Sequence, residues 1–249
     1  MPSFDWAAAA EQDPARLTEA RTQLVSAAQW LARIERSYVA REAGKPFSLR
    51  WSDDRKALTT HGFADEIVLE LQIDRLVMQF IEKGAPSDHA IDVDEHSPAH
   101  VEAWILIELL HRGVDRDRFS KELPYDTSGL FSGDGVEFSP TEYAAELAAL
   151  AALFRGAVET IREASDDASG VRIFPADLNV EGSLGDTVMG FSLGDETVSE
   201  PHFYASRDSG VGPDHTGPMS VLKLSDVPAG DASGAIASFL KAGGAPTRH

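Results

Sequence analysis

Two long segments with helical periodicity, each followed by a block of residues that alternate in polarity, constrain the fold of this chain most strongly. In the first segment, apolar residues recur at steps of three and four between Leu17 and Tyr38. That spacing forms one apolar stripe and predicts an amphipathic helix over about 13–42. Asp13 followed by Pro14 marks its start, because Asp caps the free amides and proline lacks the first one.

The second helical segment carries the clearest local signal in the chain. Ser139, Pro140 and Glu142 have the spacing of a capping box, in which the serine and the glutamate each satisfy a free amide. Apolar residues then follow at helical spacing from Tyr143 to Ile161. We therefore predict a helix over about 139–166.

Alternation at a period of two predicts strands after each long helix. The predicted strands cover 47–51, 57–60, 67–73, 76–80, 171–174, 188–193, 202–205 and 220–224. Residues 85–95 are interpreted as an acidic loop, and glycines such as Gly182 are expected to interrupt the later strands. Shorter helices are predicted over 98–112, which is apolar on most sides, and over 231–241.

These elements predict one α+β domain over 1–249, with mainly antiparallel strands covered by the long amphipathic helices. The order of elements also suggests a weak pseudo-repeat of two halves, 1–135 and 136–249. A duplication that builds one continuous sheet and a coincidence within an α+β domain both stay open, because no residue-level repeat is visible.

Composition narrows the classes of partner. The chain has 41 acidic and 22 basic residues and a net charge of −19, which disfavours phosphate backbones and anionic lipid. It has no cysteine and no long apolar run, so we expect a soluble cytoplasmic protein without disulfides or thiolate metal sites. No cofactor is predicted, because phosphate loops of the Walker and dinucleotide types are absent.

The segment 171–204 holds the main candidate site. Its polar side chains could divide acid and base roles or hold a cation. The catalytic candidates are Asp177, Asp195, Glu196, Glu200 and His202. Gly190 to Gly194 also matches the G-x-S-x-G pattern around a nucleophilic serine, here Ser192, and Asp214 and His215 lie downstream as candidate triad partners. That pattern requires a helix directly after it, and none is predicted here. A strand that ends in a turn is therefore the preferred interpretation.

A second group combines carboxylates and imidazoles, which borderline and hard cations accept. The metal-ligand candidates are Asp92, Asp94, His96 and His100. Pro98 is expected to start a helix, which leaves His96 outside it, so a solvated acidic loop is the alternative. The terminal His249 is given no role.

The motifs FPADLN (174–179) and GFSLGDETVSEPHFY (190–204) resemble a family of uncharacterised bacterial proteins of similar length. That family has a W-P-H-H-F-D segment, a G-D-E turn and an E-P-Y-F-Y strand. The resemblance implies no activity. Ala176, Asp177 and Asn179 replace the histidines and the aspartate of the first motif, so any function of those groups would be lost or altered here.

Two classes of function follow. The first is a small-molecule-binding or protein-interaction protein, which could self-associate into a homo-oligomer through the apolar helix 98–112. The alternative is a metal-assisted or carboxylate-based hydrolase that uses Asp195, Glu196, Glu200 and His202. Asp177 is a further candidate for this set. Convergence of three of these side chains on one pocket, with metal found in the untagged protein, would favour the enzyme, and dispersal would favour the binding protein.

Overall fold

A computed structural model describes residues 4, 6, 12–40, 47–207, 219–228 and 230–243. The chain divides into two compact units. Arg16–Ala148 form the first, called here the N-terminal unit, and Met1–Ala15 with Ala149–His249 form the second, called the C-terminal unit. The predicted α+β fold with antiparallel sheets is confirmed.

The N-terminal unit contains a long helix, a five-stranded antiparallel meander and a shorter helix. Its elements are α1 (Pro14–Tyr38), β1 (Arg50–Ser52), β2 (Ala57–Thr59), β3 (Ile67–Gln72), β4 (Val77–Glu82), β5 (Ala85–Asp92) and α2 (Pro98–His111). The strands lie in the sheet in sequence order.

Three buried polar side chains of α1 fix the long connection between α2 and the next helix, and a fourth fixes the segment between β2 and β3. Gln29 accepts a hydrogen bond from Tyr125 at 2.7 Å, and Ser26 accepts one from the amide of Phe131 at 3.0 Å. Gln23 accepts one from the amide of Ser139, and Glu35 accepts one from the amide of His61. These contacts explain why polar residues interrupt the buried face of the helix.

The C-terminal unit repeats the same order of elements. It contains α3 (Ala144–Ala164, of which the first turn lies in the other unit), β6 (Arg172–Ile173), β7 (Val180–Leu184), β8 (Thr187–Ser192), β9 (His202–Ser206), β10 (Met219–Lys223) and α4 (Ala232–Lys241). The five strands again pair with their sequence neighbours, in the order β10-β9-β8-β7-β6. The two sheets are separate, so the alternative of a duplication that builds one continuous sheet is wrong.

The region predicted as an acidic loop contains strand β5. Lys83 and Gly84 both have positive φ values, of 51° and 82°, which is the geometry of a two-residue hairpin turn. This turn pairs Glu82 with Ala85, and a register shift between Gln79 and Ile81 lets the strand continue to Asp92. The prediction was wrong because the exposed acids of β5 hide its pairing with β4.

Strand β7 was also missed, because Gly182 was expected to break it. Gly182 lies inside the strand, opposite Met189 of β8. A Cβ at this position would overlap Ser165 and would lie 2.9 Å from Cγ2 of Ile161, both on the segment that covers the sheet. The glycine is therefore a point of close approach between α3 and the sheet.

The helix caps were predicted well at two positions and wrongly at one. The predicted caps Asp13 and Ser97 accept hydrogen bonds from the amides of Ala15 and His100. The capping box at Ser139 does not start α3, which begins at Ala144. The amide and the hydroxyl of Ser139 are instead bonded to the side chain of Gln23. None of the described helices is both long enough and apolar enough to cross a membrane.

Candidate functional site

A row of three residues crosses the centre of the C-terminal sheet. Glu181 of β7, Gly190 of β8 and Tyr204 of β9 lie opposite one another in register. The Tyr204 hydroxyl donates a hydrogen bond of 2.7 Å to Oε1 of Glu181 over the backbone of Gly190. Only glycine permits this path, because a Cβ at 190 would overlap the tyrosine ring. Burial, and then the charge of Glu181, raise the pKa of Tyr204 well above its ordinary value.

Asp177 lies in the turn before β7, close to this row. Its carboxylate accepts hydrogen bonds from the Asn179 amide at 3.0 Å and from the Asn179 side chain at 2.7 Å. Burial is the main reason that the pKa of Asp177 rises to about 6, and the charges of Glu181 and Asp195 add to it. The group therefore changes its charge near neutral pH, which is a property of many catalytic acids and bases.

Asp195 and His202 also come together, at the end of β8 and the start of β9. The buried His202 has its Nε2 3.7 Å from Oδ2 of Asp195, and its Nδ1 lies 2.9 Å from the carbonyl oxygen of Glu200. A carbonyl can only accept, so Nδ1 carries a proton. Oδ1 of Asp195 accepts from the amides of Thr197 and Val198, which closes the turn.

The two glutamates of the candidate set do not join this group. The Glu200 carboxylate lies 3.3 Å from Nζ of Lys223 and accepts from the amide of Ser225, so it ties β9 to the end of β10. Glu196 is exposed in the turn. The structure thus brings Asp177, Asp195 and His202 into one neighbourhood and places Glu196 and Glu200 outside it.

Ser192 is the last residue of β8 and is buried. Its Oγ accepts from the amide of Gly194 at 3.2 Å, and a turn rather than a helix follows. This confirms the interpretation of a strand that ends in a turn. The proposed triad partners Asp214 and His215 lie outside the described residues.

The metal-ligand candidates near the start of α2 are divided among different contacts. The Asp94 carboxylate accepts from the hydroxyl of Thr141 at 2.6 Å, and that of Asp92 accepts from the amide of Asp94. The rings of His96 and His100 meet edge to face, with centroids 4.1 Å apart. The two imidazoles are therefore adjacent, while the Asp92 carboxylate closes a local turn and the Asp94 carboxylate binds Thr141, which is distant in the sequence.

A different cluster of metal-ligand types lies at the other end of α2 and was missed. His89 of β5 and His111 of α2 approach the same carboxylate oxygen of Glu108, at 3.3 Å and 3.5 Å from their Nδ1 atoms. The three ligand atoms lie within 4.8 Å of one another. The signal in the sequence was the pair Glu108 and His111 at a spacing of three, but His89 could not be placed beside it while 85–95 was interpreted as a loop.

Arg112 fixes the carboxylate of that cluster. Its Nη1 lies 2.7 Å from Oε2 of Glu108, and its Nε lies 2.9 Å from Oε1 of Glu82. The guanidinium also covers the ring of Phe80 at 4.4 Å. Burial raises the pKa of Glu108, but Arg112 and His89 together outweigh burial, so the pKa is lower than usual and the carboxylate is charged at neutral pH.

The solvent face of α2 is apolar. The opposite face buries Val101, Ile105 and Leu109 completely. On the outer face, Ile107 is 50% exposed and Leu110 is 54% exposed, and Ala103 extends the same row by one turn. We call Ala103, Ile107 and Leu110 the apolar stripe.

The C-terminal unit also contains a cavity of about 200 Å³. Trp6, Glu159, Glu163 and Lys241 are among the residues that line it. This volume is below the roughly 300–1,000 Å³ of most small-molecule sites. The cavity is therefore weak evidence for a small-molecule ligand.

No protein-family model, curated protein or solved structure matches this chain. The resemblance to a bacterial family stays a prediction.

Proposed function

We propose that this is a protein-interaction protein that pairs with a second copy of itself through the apolar stripe of α2. The observation that supports this proposal is the exposure of Ile107 and Leu110, each by half or more, in one row on a helix that is already anchored by its other face. Contiguous exposed apolar residues on a folded protein typically mark a contact surface.

The fold does not need the stripe. Val101, Ile105 and Leu109 recur every four residues and are fully buried, and Trp104 packs on Phe80 with ring centroids 5.6 Å apart. Ser97 caps the helix. Polar residues at 107 and 110 would serve folding and solubility better, so the apolar residues there need another explanation.

Charge favours a second copy as the partner. A chain with a net charge of −19 repels its own copies over most of its surface. Around the stripe, however, the two acids of α2 are occupied, because Glu108 is buried against Arg112 and Glu102 lies 2.5 Å from Nζ of Lys121. Two copies can therefore meet along this face without bringing free acids together.

The geometry also suits a symmetric pair. A two-fold axis across the stripe would place two α2 helices side by side, so that the same residues meet from both copies. Each pair of helices would bury Ile107 and Leu110 from both sides. Half-exposed side chains of this size each contribute about 1 kcal/mol when they are buried fully, before the cost of association is subtracted.

A carboxylate-based hydrolase is the second candidate function, and the pKa of about 6 at Asp177 favours it. The Asp195 and His202 pair would be its other component. This candidate is weaker, because Glu200 is engaged with Lys223, and His202 and Tyr204 are both buried.

Sedimentation equilibrium on the untagged protein tests the proposal. The wild type should form dimers, and the double variant Ile107→Glu with Leu110→Glu should dissociate at least about 100-fold more readily, because charges would be buried without partners. Met219→Glu with Val221→Glu is the matched control. Those two residues are 46% and 40% exposed on β10, so the charge change is the same on a different surface.

The control variant should keep the wild-type dimer. A monomeric wild type would contradict the proposal, and so would equal weakening by both double variants. Far-UV circular dichroism of both variants should match the wild type, because all four positions are exposed.

A further inference from the structure

We propose that His89, Glu108 and His111 form a binding site for a divalent transition metal of the zinc type. The site lies where β5 meets the last turn of α2, next to the end of the apolar stripe, and the inference does not depend on the proposed pairing of two copies. Two imidazoles and one carboxylate are a ligand set that zinc uses widely, with a water molecule in the fourth position.

The distances fit a tetrahedral centre. Ligand atoms about 2.0–2.1 Å from a tetrahedral zinc ion lie about 3.3–3.4 Å from one another. Oε1 of Glu108 lies 3.3 Å from Nδ1 of His89 and 3.5 Å from Nδ1 of His111. Two edges of the tetrahedron are therefore close to their final length. The third edge joins one ring nitrogen of each histidine and is at most 4.8 Å, so the two rings must move closer together when an ion binds.

The carboxylate is held in the orientation that such a site needs. Arg112 occupies Oε2 of Glu108 at 2.7 Å and leaves Oε1 to the imidazoles. Glu108 and Arg112 have side chains that are 4% and 7% exposed, so this pair is fixed in the protein interior. Outer partners that orient a ligand in this way commonly accompany protein metal sites.

The two histidines are exposed enough to admit an ion from solvent. Their side chains are 66% exposed at His89 and 57% exposed at His111. The ion would reach the site from solvent, and the fourth position would face water. Glu108 and His111 are three residues apart on α2, which places both on the same face of the helix.

The ligand set also selects the class of metal. Magnesium and calcium prefer sites made of oxygen atoms alone, whereas two imidazoles favour zinc, nickel, cobalt or copper. Arg112 adds a positive charge nearby, but Glu82 and Glu108 both contact it. The local charge of this group before an ion binds is therefore −1, and a divalent cation brings it to +1.

Isothermal titration calorimetry with zinc chloride tests the site, on untagged protein that has been treated with a chelator and dialysed. We expect one zinc ion per chain with a dissociation constant below about 100 μM. His89→Ala and His111→Ala should each weaken binding at least about 100-fold, because loss of a ligand costs no less than loss of an outer partner. Both histidines are exposed, so these variants should fold normally.

His100→Ala is the matched control, because His100 lies on the same helix and outside the cluster. It should bind zinc like the wild type. A second measurement uses cobalt, whose visible absorption reports four-coordinate geometry and should disappear in His111→Ala. Wild-type binding weaker than about 100 μM would overturn the inference, as would binding that survives both histidine variants or that His100→Ala abolishes equally.

Discussion

The hydrogen bond between Tyr204 and Glu181 should be one of the most important polar contacts in the C-terminal unit. It is 2.7 Å long, and both side chains are buried. A buried hydrogen bond to a charged group contributes about 1.5–3 kcal/mol. We expect Tyr204→Phe, which removes only the hydroxyl, to lower the free energy of unfolding by that amount.

Gly190→Ala should cost more, because it removes the path of the bond. The new Cβ would lie 2.7 Å from Cε2 of Tyr204 and closer still to the end of the ring, so the ring must move. Overpacking of this kind costs about 1–3 kcal/mol. Together with the lost hydrogen bond, the expected destabilisation is about 2.5–6 kcal/mol.

Urea denaturation, followed by circular dichroism, measures these values, and hydrogen exchange of the β7, β8 and β9 amides localises them to the sheet. The two changes should be coupled. In a Tyr204→Ala background the obstructing ring is absent, so Gly190→Ala should add little destabilisation. The reasoning is refuted if the free energy of unfolding of Tyr204→Phe lies within about 0.5 kcal/mol of the wild-type value. It is also refuted if Gly190→Ala lowers the free energy of unfolding as much in the Tyr204→Ala background as it does alone.

Two further predictions concern the same unit. Folding raises the pKa of Asp177 from its ordinary 3.8 to about 6, so the folded protein binds the proton of Asp177 more tightly than the unfolded chain does. The stability that this proton contributes is fully present below about pH 4 and is lost as the pH rises through 6. The free energy of unfolding of Asp177→Asn, relative to that of the wild type, should therefore rise by roughly 2–3 kcal/mol between about pH 4 and pH 8. A difference in urea midpoint between variant and wild type that does not change with pH would contradict this. Gly182→Ala should destabilise the protein by about 1–3 kcal/mol through its overlap with Ser165, and Ser165→Ala should recover part of the loss in the same urea assay; no recovery would show that Ser165 is not the obstacle.

Much of the fold could be predicted from local patterns. The long helices follow from apolar spacing, and the caps at Asp13 and Ser97 follow from side chains that accept helix amides. These signals act over a few residues, so one sequence is enough to see them. The five-strand meander after each long helix was only partly visible, because β5 and β7 lack the alternation of the other strands.

The errors arose where distant parts of the chain decide the outcome. Gly182 was interpreted as a breaker, but it lies in a strand because α3 packs directly over it. Ser139 has the composition of a cap, but Gln23 of α1 takes both of its polar groups. No local pattern contains either partner.

The candidate sites show the same limit. Asp195 and His202 are seven residues apart and meet across one turn, although the sequence alone did not place them within reach. His89 and Glu108 are 19 residues apart, and they meet only because β5 extends along the sheet towards the end of α2. The hairpin turn at Lys83 and Gly84 starts β5, the strand that brings His89 to Glu108.

Oxidative cross-linking of single-cysteine variants tests the central claim about α2 most directly. The native chain has no cysteine, so Ala103→Cys, Ile107→Cys and Leu110→Cys each introduce one thiol into a clean background. In a symmetric pair of helices, at least one of these positions brings its own copy within the roughly 4.4–6.8 Å between Cα atoms that a disulfide needs. We predict a covalent dimer for at least one stripe variant and none for Met219→Cys, whereas three stripe variants that stay monomeric, or that cross-link no faster than Met219→Cys, would contradict the account.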